Sequence, residues 1–242
     1  TAFCLTPLGL KRLEREAGAP LPEDTVWLDL LEPSQEEERL VEARLGIDIP
    51  TREEMSEIES SNRLYEEEGG LYLTVTVVTK LDTDLPENSQ VTFILKDNRL
   101  VTNRYVDPLP FRRFVLQIEK HPQGQTSAQT VLVSLLEFIV NRIADVIERV
   151  SADIDTVTAE VFNQRRTKAQ RRNSQRDFRR LLERTGQAGE LIAKARESLA
   201  SLSRLAAFVQ QSTIVLTPDV RSRMRTLSKD VVAMSDHAGV LN

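Results

Sequence analysis

The second half of the chain carries three long helical patterns, and together they limit the fold more than any other feature. From Ala128 onward, Leu132, Leu136, Ile139, Ile143, Val146, Val150, Ile154, Val157 and Val161 keep near-heptad spacing to about Gln164. At 1.5 Å per residue such a helix is about 55 Å long. That is longer than a small domain, so part of it must pack on other helices or on another subunit. A second helix is expected from about Arg172 to Val209, with Phe178, Leu181, Leu191, Ile192, Leu199, Leu202 and Leu205 facing inward. Thr217 as N-cap and Pro218 at the first helical position open a third. Along it Val220, Met224, Leu227, Val231, Met234, Ala238 and Leu241 alternate steps of four and three, an a/d seam. No C-cap glycine, proline or basic last turn precedes Asn242, and the chain opens at Thr1 without a methionine. Both ends are expected to be trimmed from a longer protein.

The first half reads as α/β. Thr25–Leu31 places Val26, Leu28 and Leu30 on one face of a strand. Ser34 with Glu37 is a capping box for a helix to Leu45, which Gly46 closes; Thr51 with Glu54 repeats the device for a short helix through Ile58. Leu71–Thr79 is rich in β-branched residues and is the strongest strand. Val91–Leu95 and Leu100–Arg104 should pair across a hairpin-like turn at 96–99. A helix over Phe111–Glu119 and a loop at His121–Gly124 follow. The residues alone therefore give an α/β (or α+β) first part to about residue 125 and long antiparallel helices over 126–242, the third of them from 218.

Composition excludes several functions. At 40% hydrophobic and 29% charged the chain is globular. Its 5% aromatics argue against a base-stacking surface. A single cysteine, Cys4, forbids an intrachain disulfide and is most simply a small buried hydrophobe on an early strand. The most apolar run, Val131–Val140, is broken by Ser134 and Glu137, short of a membrane span. Residues 1–130 hold 14 Lys+Arg against 24 Asp+Glu, and residues 131–242 hold 18 against 13, so an acidic half precedes a basic one. There is no phosphate-binding glycine loop, no nucleophile elbow and no zinc motif, so nothing argues for an enzyme or an organic cofactor. His121 sits before Pro122 in a polar loop, and His237 follows Asp236 on the third helix. Both read as solvated positions, with Asp236 and His237 a weak metal or pH signal. The basic run Arg165–Arg180 could contact phosphate, but without interleaved aromatics it reads as the solvated tip between two helices.

The acidic cluster has more content. Glu53, Glu54, Glu57 and Glu59 fall on the short helix after Pro50, with Glu66, Glu67 and Glu68 soon after. Like charges at i,i+4 repel by a few tenths of a kcal/mol. A divalent cation held by oxygen ligands would relieve this, whereas the plainer alternative is that acids near a helix N-terminus favour its dipole.

The order of these segments resembles a known family. Trp27–Ser34, Glu36–Glu38, Leu45–Thr51, Glu57–Tyr65, Gly70–Leu73, Val91–Val101 and Ser235–Asn242 resemble, in sequence and spacing, the cytosolic part of CorA-type magnesium transporters. The family's Gly-Met-Asn loop is not in this chain. The resemblance implies a homopentamer, an α/β/α head at 1–125 with a mixed β-sheet sandwiched by helices, a helical funnel at 126–242, and a stalk helix from 218 leading into a pore in the cell inner membrane, with this part on the cytoplasmic side. It implies that Mg2+ (or Co2+, Ni2+) is cargo and that ions bound between neighbouring heads hold the channel closed. By that match Glu54 is the closest ligand position, with Glu53 and Glu57 beside it, where the family more often has Asp. The partner carboxylate would lie on the adjacent stalk, at or just beyond Asn242. A zinc-transporting relative and a soluble coiled-coil scaffold are the alternatives, and nucleic acid is not an expected partner.

Overall fold

The computed structural model describes residues 1–7, 9–13, 21–81, 86–164 and 174–241. Seven strands, β1 (Ala2–Thr6), β2 (Gly9–Leu13), β3 (Thr25–Leu31), β4 (Leu64–Glu67), β5 (Gly70–Thr79), β6 (Glu87–Lys96) and β7 (Arg99–Arg104), form one sheet in the order β2-β1-β3-β7-β6-β5-β4. Only β3 and β7 are parallel neighbours; the other pairs are antiparallel. The helices are α1 (Gln35–Leu45), α2 (Arg52–Met55), α3 (Ser60–Arg63), α4 (Leu109–Lys120), α5 (Ala128–Gln164), α6 (Ser174–Gln211) and α7 (Pro218–Val240), with a 3-10 turn at Pro122–Gly124.

The sheet is covered on both faces. On one, Leu28, Leu30, Tyr72, Ile94 and Val101 pack under α1 through Val41 and the following Ile47 and Ile49. On the other, Trp27, Leu71, Leu73, Phe93 and Leu100 pack against α4 through α7 in a single continuous core. Alternate residues of each strand thus point to opposite helical layers, which is why β3 and β5 are buried along nearly their whole length. Trp27 centres the larger core, stacked on Phe3 at 4.2 Å and tilted against Phe114 at 5.5 Å.

Local chemistry sets the element ends. Ser34–Glu37 and Thr51–Glu54 both form reciprocal capping boxes, and Gly46 closes α1 in the left-handed region, its N–H donating to Glu42. Asp97 and Asn98 both have positive φ, as a two-residue turn between right-twisted strands requires. Gly9 has φ +111°, and a Cβ there would lie 2.2 Å from the Pro122 carbonyl oxygen, so only glycine fits the approach of β2 to the 3-10 turn.

The long helices also match expectation. α5 runs over Ala128–Gln164, buried from Leu132 through Val150, with Ile154 and Val157 half-buried. Contacts pair Asp153 with Arg184, Gln129 with Thr217 and Glu137 with Arg223, so α6 runs antiparallel and α7 parallel to α5. The seam residues Val220, Met224, Leu227, Val231 and Ala238 are buried, and Met234 and Leu241 pack partly against them. The side chains of Val161 and Phe178 lie outside those described.

Past Leu73, no strand among the described residues pairs with β5 on the β4 side. There α6 closes the edge: Ser198 Oγ donates to the Thr76 carbonyl at 2.6 Å, and Ser201 Oγ accepts the Thr76 N–H at 3.1 Å. Both serines are buried, so a strand edge that would otherwise be left open inside the protein is satisfied by side chains.

Candidate functional site

The Thr51–Glu59 segment has one apolar anchor, Met55, which is 2% exposed. α2 ends there, with Ser56 as C-cap and its hydroxyl turned back onto the Arg52 carbonyl at 2.9 Å. The helix expected through Ile58 is therefore three residues shorter. Ile58 is 93% exposed and finds nothing to pack against, and flanking glutamates do not favour another turn. Glu57 consequently lies past the helix rather than one turn above Glu53. Glu54 Oε2 accepts the Thr51 N–H at 2.8 Å and its hydroxyl at 2.9 Å, and Glu57 accepts from Asn62 Nδ2. Glu53, Glu54 and Glu57 are all exposed. Among the described residues no three His, Cys, Asp or Glu side chains gather as a metal-holding group.

Asp236 and His237 are exposed near the end of α7. Segment 51–59 packs on β6 and α3, whereas α7 packs on α5 and α6. His121, the other histidine, is also exposed. Of the basic run, residues 165–173 lie outside the described residues; Arg179 and Arg180 are exposed, and Arg179 is 4.0 Å from Glu183.

Two polar networks have no counterpart in the sequence reading. The first joins α7 to α5. Arg223 grips Glu137 with Nε at 2.9 Å and a terminal nitrogen at 2.6 Å, and that nitrogen also donates to Ser134 Oγ at 2.7 Å. Ser134 in turn bonds Gln125. The Glu137 bonds raise the Arg223 pKa, outweighing the opposing effect of burial. The second lies at the carboxyl ends of β3 and β7. Arg104 donates to both oxygens of Asp29, at 2.9 and 2.7 Å, and to Asp107 at 2.9 Å, while its guanidinium lies over the Phe111 ring. Thr102 links Trp27 Nε1 to Asp29. Burial disfavours the charged Arg104, but the bonds to Asp29 and Asp107 overcome it and raise its pKa. Alternation along β3 and β7 puts Asp29 and Arg104 on the Trp27 face; nothing local announces that they meet.

An open cleft of about 670 Å³ lies at the Asp107 end of this network, lined by Arg52, Lys80, Glu87, Tyr105, Asp107 and Arg112 among others. Connections from β3 and β7 leave to opposite faces here, a place where α/β proteins often bind ligands. Its charges answer one another, Lys80 with Glu87 at 2.8 Å and Arg112 with Asp107 at 3.5 Å, while Arg52 lies over Tyr105. Nor does any helix, among the described residues, combine the length and apolar character needed to cross a membrane.

The family model described as CorA-like Mg2+ transporter protein matches residues 22–241. The chain belongs to that family. The magnesium transport protein CorA of Pasteurella multocida (strain Pm70) is 27% identical over 236 residues, covering 98% of this chain and 72% of that protein. The chain's match spans 50% of the length of the Escherichia coli (strain K12) magnesium transport protein CorA. Among solved structures, the complete CorA magnesium transporter of Methanocaldococcus jannaschii superposes with a TM-score of 0.76 at 14% identity, over 99% of this chain and 71% of that one. The ZntB cytoplasmic domain of Vibrio parahaemolyticus RIMD 2210633 does so with 0.72 at 10% identity, over 99% and 90%. The mixed sheet, its helical layers and the long helices are thus the fold of the CorA soluble domain.

Proposed function

We propose that this chain is the ion-sensing, gating part of a CorA-type divalent-cation channel, with Mg2+ as cargo and as regulator. The observation that carries this is the family match extending through α7, a helix whose a/d seam is buried and whose flank is held to α5 by Arg223 and Glu137. Residues 1–125 act as head and 126–242 as funnel, in a protein anchored in the inner membrane with this part in the cytoplasm. Five copies surround the pore. Glu53, Glu54 and Glu57 supply one side of a cation site, and the partner carboxylate comes from a neighbouring copy, consistent with the exposure of all three and with their distance in the fold from α7. Asp236 and His237 on the stalk are weaker ligand candidates. Two acidic surfaces brought together repel, and a cation between them offsets the repulsion. Closure is then a population shift driven by unequal ion affinity for two arrangements. Co2+ and Ni2+ would share the site.

A zinc-transporting relative is the second reading, since the ZntB cytoplasmic domain has nearly the same superposition score. Thermal unfolding with Mg2+, Co2+ or Zn2+, at concentrations where the chain self-associates, tests both. Mg2+ should raise Tm, and the triple variant Glu53→Gln, Glu54→Gln, Glu57→Gln, which keeps a capping residue at position 54, should abolish the rise. An equal rise in the variant removes these ligands. A rise with Zn2+ alone favours the zinc branch.

A further inference from the structure

The turn between α6 and α7, residues 212–217, is held from both sides by polar side chains of other elements. On one side Glu66 of β4 takes both donors of Thr213: Oε1 accepts its N–H at 2.9 Å and Oε2 accepts its hydroxyl. On the other, Gln129 of α5 accepts the Thr217 N–H at 3.1 Å and donates to the Val215 carbonyl at 3.0 Å. Thr217 is the N-cap of α7. Apolar anchoring comes from Leu216, its one buried side chain, and half-buried Ile214, which join the main core, whereas Val215 is 81% exposed.

We infer that Glu66 is a positioning residue that couples the edge of the sheet to α7. β4 begins immediately after α3, and α3 begins immediately after Glu59, the last acid of the 53–59 segment. Glu66 stands seven residues beyond Glu59, on a strand kept in register with β5 and stacked through Tyr65 on Tyr72 at 4.6 Å. A displacement of the acidic segment therefore reaches the first turn of α7 through one short strand and one two-point carboxylate bond. Its two oxygens fix orientation as well as distance, as charge-assisted bonds to paired donors do. Glu66 is itself exposed, and its carboxylate reaches across to Thr213 with both oxygens. The coupling rests on the ion-sensing reading above; the clamp itself does not.

Amide hydrogen exchange on the chain separates the two. Without ion, Glu66→Ala should speed exchange of the Thr213 amide by about tenfold or more, the loss of one charge-assisted bond. It should also speed residues 214–220 several-fold, while protection of the sheet and Tm stay unchanged. Glu66→Gln, with one acceptor oxygen instead of two, should fall between. Exchange unchanged beyond Thr213, or a fall in Tm with general loss of protection, overturns the positioning role. In the wild type Mg2+ should slow exchange at both 53–57 and 213–220, and Glu66→Ala should keep the first response and lose the second. A response at 53–57 with none at 213–220 in the wild type overturns the coupling. Absence of any Mg2+ response in the wild type overturns the coupling together with ion sensing, and leaves the ion-free clamp standing on its own result.

Discussion

Removing the Asp29 carboxylate should be among the most damaging single changes in the sheet. Asp29 is 6% exposed and Arg104 5%. In Asp29→Ala, two nitrogens of Arg104 and the Thr102 hydroxyl lose their acceptor together. Breaking a buried ion pair from one side costs about 3–5 kcal/mol, because the remaining charge stays buried without compensation. Arg104 keeps Asp107 at 2.9 Å and the Val106 carbonyl at 2.7 Å, which points to the lower end, about 3 kcal/mol. Replacing both partners, Asp29→Leu with Arg104→Met, should recover most of that loss, since the cost arises from the orphaned charge rather than from a large net gain of the pair. Urea unfolding followed by fluorescence suits the question. Trp27 is the only tryptophan, is fully buried, and donates its ring N–H into the same network. A loss below about 1 kcal/mol for Asp29→Ala at unchanged m-value would refute this reasoning, as would a double variant weaker than the single.

The Arg223–Glu137 tie is half-exposed, so Arg223→Ala should cost less, about 1–2 kcal/mol. The exchanged pair, Arg223→Glu with Glu137→Arg, should recover part of it in a double-mutant cycle read by urea unfolding. The pKa of Glu37 is lowered by the backbone and hydroxyl donors of Ser34 at the start of α1. A carboxyl whose folded pKa lies below its unfolded one adds stability that is full above the unfolded value and fades as pH falls through the folded one. Stability measured from pH 7 to 3 should therefore decline below about 4.5, the ordinary glutamate value, and Glu37→Gln, which removes the titrating group, should flatten that part of the curve.

Segments specified by their own residues were legible in the sequence. Thr25–Leu31, the capping box at Ser34 with Gly46 closing α1, the turn at Asp97–Asn98 and the seam of α7 all depend on neighbours within a few positions. β2 and β4 were not legible. Lys11 and Arg12 in one, and Glu66 and Glu67 in the other, give no alternating pattern, and both strands exist because a partner strand lies beside them. α4 starts at Leu109, two residues before the expected Phe111, because Pro108 and Pro110 suit a first turn. α2 shows the reverse error: its start is local, but its end is set by the absence of anything for Ile58 to touch. The polar partners were the least accessible. Asp29 and Arg104 are 75 residues apart, Glu137 and Arg223 86, and Glu66 and Thr213 147, so their meeting is a product of topology alone. The acidic cluster was visible, but within one chain its carboxylates are spent on Thr51 and Asn62 or left facing solvent.

The proposed gating role requires that cations facing this chain close a CorA-type channel. Its most direct test is Mg2+ flux into proteoliposomes bearing the protein that contains this chain, with free Mg2+ varied on the side facing the domain. Flux should fall as that Mg2+ rises, and should no longer fall in the triple glutamine variant at 53, 54 and 57. Flux indifferent to Mg2+ on that side, or equally inhibited in the variant, would contradict it.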